Sequence, residues 1–455
     1  MASAPVVVMM TSILIVGLGK TGLSVARFLA RCGESFAVVD SRDNPPGLDD
    51  LRRECPQVEL RLGSFDAGWL ASFTTLVVSP GVAVADAAIQ AAARAGAEIV
   101  GDIELFARHV PHEAKVIAIT GSNGKSTVTT LVGELLQAAG RKVQMGGNLG
   151  TPALDLLAGE QAEVYVLELS SFQLETTHSL KPVAATVLNI SADHMDRYAD
   201  LAAYAKAKGK VYQHAQCALV NRDDAWSMAL ADASNAASTV SFGLDAPVDA
   251  ADWGLLEHEG ALWLAHGATR LVSEQDLHIR GRHNMANALA ALALTNAVGV
   301  DAGKVLDALK QFGGLAHRSQ FVGHFAGLDW VNDSKGTNVG ATVAALAGQT
   351  QPVVLIAGGV GKEQDFSPLR PLLADKVRAV VLIGQDAEQM EEAWQGAARC
   401  VRASSMADAV QQAAALGRPG DVVLLSPACA SFDMFSGYEQ RGQVFAAAVQ
   451  ARFAS

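Results

Sequence analysis

The stretch Thr120-Gly121-Ser122-Asn123-Gly124-Lys125-Ser126-Thr127 carries the plainest chemistry in the chain. An apolar run, Val116–Thr120, leads into it and a helical pattern, Val128–Ala139, leads out. A glycine-bearing loop between strand and helix turns backbone N–H groups toward phosphates, and the helix N-terminus adds positive potential. Lys125 can reach the β- and γ-phosphates, and the Ser126 hydroxyl can ligate Mg²⁺. The usual phosphate-loop pattern has Gly at position 119, where this chain has Ile119, so the loop is a shorter variant with glycines at 121 and 124. The bland alternative, a Gly-rich turn with an incidental Lys, fits the strand-loop-helix context poorly.

Other residues suited to chemistry follow. Glu168, in Leu167-Glu168-Leu169-Ser170-Ser171-Phe172-Gln173-Leu174, closes an apolar strand. Carboxyl ends of parallel strands gather ligands, and a carboxylate there suits Mg²⁺; a helix-capping Glu is the alternative. His194, in Asp193-His194-Met195-Asp196, also follows a strand. It could ligate a second metal, touch substrate, or be a polar loop residue. Lys206, Lys208 and Lys210 lie on an Ala-rich segment, where a solvated face accounts for two of the three. Near the N-terminus, Gly17-Leu18-Gly19-Lys20-Thr21-Gly22 precedes Asp40 by 18 residues counted from Gly22. That is the dinucleotide fingerprint and alone favours a dehydrogenase, yet the same turn can hold any diphosphate, a UDP-sugar included.

The elements that must position these residues alternate strand and helix, the signature of an α/β chain with parallel sheets. Strand-like runs fall at Ile13–Val16, Phe36–Asp40 and Thr75–Ser79, then restart at 116, at 164 and 184, and again at 353, 379 and 421. Joints at 109–113 and 312–315 divide 455 residues into expected domains 1–110, 111–313 and 314–455. Residues 240–280 read as an antiparallel excursion, and 284–311 as a long helical stretch. The apolar run Val6–Val16 is too short to span a bilayer and lacks a basic flank, so it reads as a buried first strand. A net charge of −12 without a Lys/Arg run argues against nucleic acid. Five scattered cysteines, without a C-x-x-C pair, suggest neither disulfides nor a thiolate zinc site and fit a reducing cytoplasm. No stretch reads as a membrane insertion.

The phosphate loop resembles the short form shared by Mur ligases and folylpolyglutamate synthases. Longer motifs choose the Mur ligase family: 167–175, Asp193–Tyr198, Asn332-Asp333-Ser334-Lys335-Gly336-Thr337-Asn338 and Ser426-Pro427-Ala428-Cys429-Ala430-Ser431, with likeness from about residue 13 to 450. The resemblance implies Rossmann-like N- and C-terminal domains around a phosphate-loop ATPase-like centre. It implies an ATP- and Mg²⁺-dependent ligase, cytoplasmic and monomeric, joining D-glutamate to UDP-N-acetylmuramoyl-L-alanine through an acyl phosphate. By position, Gly19, Thr21, Asp40, Ser41, Arg42, Ser79, Gly81 and Asn148 are implied for the UDP-linked substrate. Gly121, Ser122, Asn123, Gly124, Lys125, Ser126, Thr127, Asn287, Arg318, Asp333 and Lys335 are implied for ATP. Thr337, Lys362, Ser431 and Tyr438 are implied for glutamate. Lys125, Glu168, His194 and Lys208 are implied for catalysis, with Ser126 and Glu168 on one metal and His194 and carbamylated Lys208 on the other. The family's modified Lys lies three residues before a Val/Ile-Tyr pair, here Val211-Tyr212. A carbamate supplies anionic oxygens where an ammonium would repel Mg²⁺. Two departures are Val360, where Asp is common, and Tyr438, where Phe is common. Rival readings are another Mur ligase, a folylpolyglutamate synthase-like ligase, a nicotinamide-dependent dehydrogenase, and a non-catalytic nucleotide-binding module.

Overall fold

A computed structural model describes residues 12–279 and 281–453. Residues 6–11 of the apolar N-terminal run lie outside the described residues; the run's end forms the first strand. Among the described residues three sheets follow one another along the chain. The first is wholly parallel: β1 (Ile13–Val16), β2 (Phe36–Asp40), β3 (Glu59–Leu62), β4 (Thr75–Val78) and β5 (Glu98–Val100), in the order β3-β2-β1-β4-β5. The second holds β6 (Lys115–Thr120), β7 (Val143–Gly147), β8 (Val164–Glu168), β9 (Ala184–Val187), β10 (Cys217–Asn221), β11 (Ser238–Phe242), β12 (Trp253–His258), β13 (Ala261–His266) and β14 (Thr269–Ser273). Its order is β14-β13-β12-β11-β10-β9-β6-β8-β7, parallel from β7 to β12 and antiparallel over the last two pairings. The expected excursion therefore extends the central sheet. The third holds β15 (Gln320–Phe325), β16 (Leu328–Asn332), β17 (Val353–Gly358), β18 (Val377–Ile383), β19 (Cys400–Arg402) and β20 (Val422–Leu425), ordered β15-β16-β20-β17-β18-β19 with only β15 antiparallel.

The central strands are apolar throughout because helices cover both faces. Ile117 and Ile119 face one cluster and Val116 and Ala118 the other. The helix Arg282–Ala297 buries Ala288 through Leu294 against the helix Lys125–Ala138. The long helical stretch expected over 284–311 is broken: Gly299 takes φ 88°, and a 3₁₀ turn, Ala302–Lys304, precedes the short helix Leu306–Gln311. A left-handed glycine ends a helix whatever the apolar periodicity on either side.

The three layers are tied together. Between the first and second sheets, a Cβ on Gly101 would lie 2.3 Å from Thr176 Oγ1, so the chains touch backbone to side chain. Glu104 there accepts from His178 N at 2.7 Å, Ser179 N at 2.9 Å and Ser179 Oγ at 2.7 Å. Between the second and third, Arg318 Nη2 donates to Ser126 Oγ at 2.7 Å. Among the described residues no helix is long and apolar enough to cross a membrane.

Candidate active site

β6 ends at Thr120, and the loop to the helix Lys125–Ala138 turns on two left-handed glycines, Gly121 (φ 144°) and Gly124 (φ 85°). Gly124 also has no room for a side chain: a Cβ would meet Asn287 Oδ1 at 2.6 Å. Lys125 curls back over this loop, and its Nζ donates to the carbonyls of Gly121 and Ser122, both at 2.8 Å. Burial holds its ammonium below the ordinary value, against the attraction of Glu168 and Asp193. Ser122 Oγ donates to the Ser191 carbonyl at 3.0 Å, and Asn123 N donates to Asn189 Oδ1 at 2.8 Å.

Glu168 ends β8 beside this loop and is 2% exposed. One carboxylate oxygen accepts from Asn148 Nδ2 at 2.7 Å, while Oε2 is buried with no hydrogen-bond partner. A buried, unpartnered carboxylate oxygen next to a phosphate loop is what a hard cation would satisfy. Ser126 lies on the same loop-helix junction. No group of three or more His, Cys, Asp and Glu arranged for a metal occurs among the described residues. Holding a cation here therefore calls for mixed ligands.

Lys208 is 2% exposed, while Lys206 on the same helix, Leu201–Gly209, is exposed. Lys210 is half-buried and donates to the Glu175 carbonyl at 2.7 Å, so it is not a freely solvated residue. Lys208 Nζ reaches Thr120 Oγ1 at 3.3 Å and lies 4.8 Å from the Tyr204 ring centroid. Burial first, and the Lys125 charge second, push its pKa far below the lysine range. His194 is held in a left-handed conformation (φ 59°), its ring edge-on to Phe172 at 4.9 Å. Burial lowers its pKa although Asp193 opposes the shift.

A cavity of about 880 Å³ opens between the second and third sheets. Asn123, Gly124, Thr127, Asn287, Arg318, Asp333 and Lys335 all line it, so seven of the residues expected at ATP share one wall space. Burial lowers the Arg318 pKa, raises that of Asp333 to about 6, and lowers that of Lys335 to about 8. Asp333 accepts from Ser426 Oγ at 2.8 Å and from Ser319 N at 3.1 Å. Among the lining residues that sequence reasoning missed are His283, whose Nδ1 is buried without a partner, and the exposed Phe321. The only signal for His283 was its place one residue before Asn284 at the helix start.

The residues expected at glutamate divide. Lys362 (φ 53°) points its Nζ to Asp193 Oδ1 at 3.5 Å, and Thr337 follows the Asp333–Lys335 turn. Ser431 is buried, its carbonyl accepting from Met434 and Phe435 N–H groups. Tyr438 instead meets Lys335, whose Nζ lies 3.9 Å from its ring centroid. At Val360 the backbone does the work: it exchanges two 2.9 Å hydrogen bonds with Ala430, linking the Lys362 and Ser431 loops whatever the side chain. His194, His317, Ser319, Lys362 and Ala428 all have positive φ. Such strain collects where the surrounding structure over-determines a site.

At the first sheet the turn after β1 lies beside the end of β4, where the strand order reverses and ligands bind. Gly19 and Thr21 are half-buried there, and Ser41, Arg42 and Gly81 are exposed. Asp40 is buried; it accepts from Leu18 N at 2.6 Å and from Arg42 N, Nε and Nη2 at 2.7–2.9 Å. Burial raises its pKa, but Arg42 and these N–H groups outweigh it and hold the carboxyl low. Ser79 Oγ donates to the Gly17 carbonyl at 2.9 Å. Both side chains thus brace the turn from within. Asn148 is exposed and holds Glu168.

Residues 11–101 match the Mur ligase MurD-like N-terminal domain, 119–295 the Mur ligase middle domain, and 317–429 the Mur ligase glutamate ligase domain. The chain is 53% identical over 438 residues to UDP-N-acetylmuramoylalanine--D-glutamate ligase of Methylobacillus flagellatus, covering 96% of each. It is 53% identical to the protein of the same name from Nitrosococcus oceani, again over 96% of each. In fold it is similar to a pseudomurein peptide ligase type C from Methanothermus fervidus, with TM-score 0.60 and 17% identity over 91% of this chain and 96% of that one. It is also similar in fold to E. coli FolC in complex with DHPP and ADP, with TM-score 0.57 and 19% identity over 78% and 93%.

Proposed function

The chain belongs to the Mur ligase family, and we propose on that footing that it joins D-glutamate to UDP-N-acetylmuramoyl-L-alanine at the expense of ATP, in peptidoglycan precursor synthesis. The observation that carries the site assignment is the shared cavity, where phosphate-loop residues face Arg318, Asp333 and Lys335 from the third sheet. Residues 1–110 hold the UDP-linked substrate, 111–313 the nucleotide, and 314–455 glutamate and part of the nucleotide. One chain carries every group the reaction needs, so a monomer suffices. The reaction belongs to the cytoplasm, where ATP and UDP-linked precursors are found.

A carboxylate is a poor acyl donor. Its oxygen therefore takes the γ-phosphoryl of ATP, releasing ADP and leaving an acyl phosphate. The glutamate amine attacks the carbonyl carbon, losing a proton, and phosphate departs from the tetrahedral intermediate. Lys125 exchanges its two loop carbonyls for phosphate oxygens and stabilises charge on the moving group. Arg318 reaches the same junction through Ser126. Glu168, whose Oε2 is buried without a partner, and Ser126 would hold one Mg²⁺; His194 and Lys208, once carbamylated, would hold a second. When bound, Mg²⁺ neutralises phosphate and carboxylate charge. Lys208 is suited to carbamylation because burial lowers its pKa and so favours the neutral amine, the form that adds to CO₂. Lys362, Thr337, Ser431 and Tyr438 orient the glutamate carboxylates. The third domain covers the site and keeps water from the acyl phosphate.

The test is ADP release from ATP in the presence of UDP-N-acetylmuramoyl-L-alanine, with D- and L-glutamate supplied separately. Release with the D-enantiomer alone is expected. No release with either, or release with L-glutamate only, overturns the assignment.

A further inference from the structure

Loops of the site converge on Asn338. It begins the helix Val339–Ala347 and caps it, its Oδ1 accepting from Ala341 N at 2.8 Å. The same amide faces Asn123 of the phosphate loop: Asn338 Nδ2 lies 3.3 Å from Asn123 Oδ1, and Asn123 Nδ2 lies 3.4 Å from Asn338 Oδ1. Asn338 Nδ2 also donates to Asp193 Oδ2 at 3.3 Å. The side chain is 3% exposed, so these contacts are made away from water.

Two routes lead from Asn338 to Lys362. In one, Asp193 accepts from Asn338 with one oxygen and pairs with Lys362 Nζ through the other, at 3.5 Å. In the other, Val339 N donates to Gln364 Oε1 at 3.0 Å, and Gln364 Nε2 donates to the Gly361 carbonyl at 2.7 Å. Gln364 is buried, so that route too is fixed. The helix can come this close only because position 340 is glycine. A Cβ there would lie 2.4 Å from Ser191 Oγ and 2.7 Å from Ser191 Cβ. The backbone of Gly340 is not left-handed, so close approach alone requires it.

We propose that Asn338 is a positioning residue through which the phosphate loop sets the glutamate pocket: nucleotide orders Asn123, Asn123 and Asp193 seat the first turn of Val339–Ala347, and that turn fixes Thr337 and Lys362. Taking Thr337 and Lys362 as glutamate contacts rests on the function proposed above. The pairing of nucleotide loop with Lys362 loop does not, and it can be read without turnover.

Asn338→Asp separates the roles. Its carboxylate still caps the helix, but both amide donors are lost and a negative charge faces Asp193. Hydrogen exchange is followed on the peptide covering 358–366, with and without Mg²⁺ and the non-hydrolysable analogue AMP-PNP. In the parent the analogue should slow exchange there; in Asn338→Asp, with its melting temperature unchanged, it should not. In steady-state ADP release the variant should raise KM for glutamate by about tenfold and leave KM for the UDP-linked substrate within about twofold. Gly340→Ala should act alike, and adding Ser191→Gly, which removes the colliding atoms, should recover part of the loss. The coupling is overturned if AMP-PNP protects 358–366 equally in parent and Asn338→Asp, or if KM rises equally for all three substrates. A parent that shows nucleotide-dependent protection yet ligates no glutamate would fault the ligase assignment and leave the coupling standing.

Discussion

Lys206, Lys208 and Lys210 share one short segment, and burial separates them. Lys208 lacks a carboxylate partner within hydrogen-bond reach among the described residues, and burial, then the Lys125 charge, lower its pKa and favour the neutral amine. A neutral amine can take up CO₂, and the carbamate formed could then ligate Mg²⁺. Lys208→Ala should cost at least about 10²-fold in turnover, whereas Lys206→Ala should be close to the parent. Acetate in excess should restore part of the Lys208→Ala loss by supplying a carboxylate in the vacated space. A fully active Lys208→Ala, or a bare amine at Lys208 in a crystal with both metals bound, rules the carbamate out. Lys125→Ala should fold normally and lose about 10²–10³-fold in kcat, because charge on the phosphoryl group loses its partner. Near-parental kcat in a variant with unchanged melting would remove Lys125 from the chemistry.

The helices and strands that carry these residues were largely legible. Strand ends at Val16, Thr120 and Glu168 follow from apolar runs meeting Gly or polar residues. The break at Gly299 was not, because the Ala- and Leu-rich periodicity continues on both sides and only the left-handed backbone reveals it. Of the site, the phosphate loop and Glu168 could be read because each sits on one contiguous motif. His283 and Asn338 could not: His283 reaches the cavity wall only through the fold, and the partners of Asn338 lie in another domain. Asp40 and Ser79 fit the motif, but their polar atoms hold the turn itself. A Cβ on Gly22 would lie 2.0 Å from the Gly17 carbonyl oxygen, a rigid backbone atom. Gly22→Ala must push the helix Lys20–Cys32 off β1, costing about 1–3 kcal/mol. Thermal melting should show the loss, and calorimetry should show weakened binding of the UDP-linked substrate with nucleotide affinity retained. Unchanged binding of both would mean the turn does not form the diphosphate site.

Across the whole molecule, the first domain docks on the second through two acids of the helix Asp102–His109, and these acids pull stability in opposite directions with pH. Asp102 is buried; Gln173 Nε2 donates to one oxygen at 3.0 Å, and the other has no partner. Burial raises its pKa to about 6, so its contribution weakens as pH climbs from 3.8 to about 6. Glu104 is buried too, but the N–H groups of His178 and Ser179, the Ser179 hydroxyl and Arg108 outweigh burial and hold its pKa at about 2. Its folded pKa lies below the ordinary 4.5, so its stabilisation is complete above pH 4.5 and is lost as pH falls through about 2. The gap of about 2.5 pH units corresponds to about 3 kcal/mol at neutral pH. Glu104→Gln keeps the shape and removes the charge. Its urea midpoint should fall well below the parent's at pH 7, and the difference should shrink from pH 4.5 downward and vanish near pH 2. The first domain should come free first, seen as protease cleavage between residues 101 and 115 at urea concentrations the parent resists. A parent-to-variant difference that stays constant from pH 7 to pH 3 would show that packing around Gly101 and Thr176, and not the Glu104 charge, holds the two domains together.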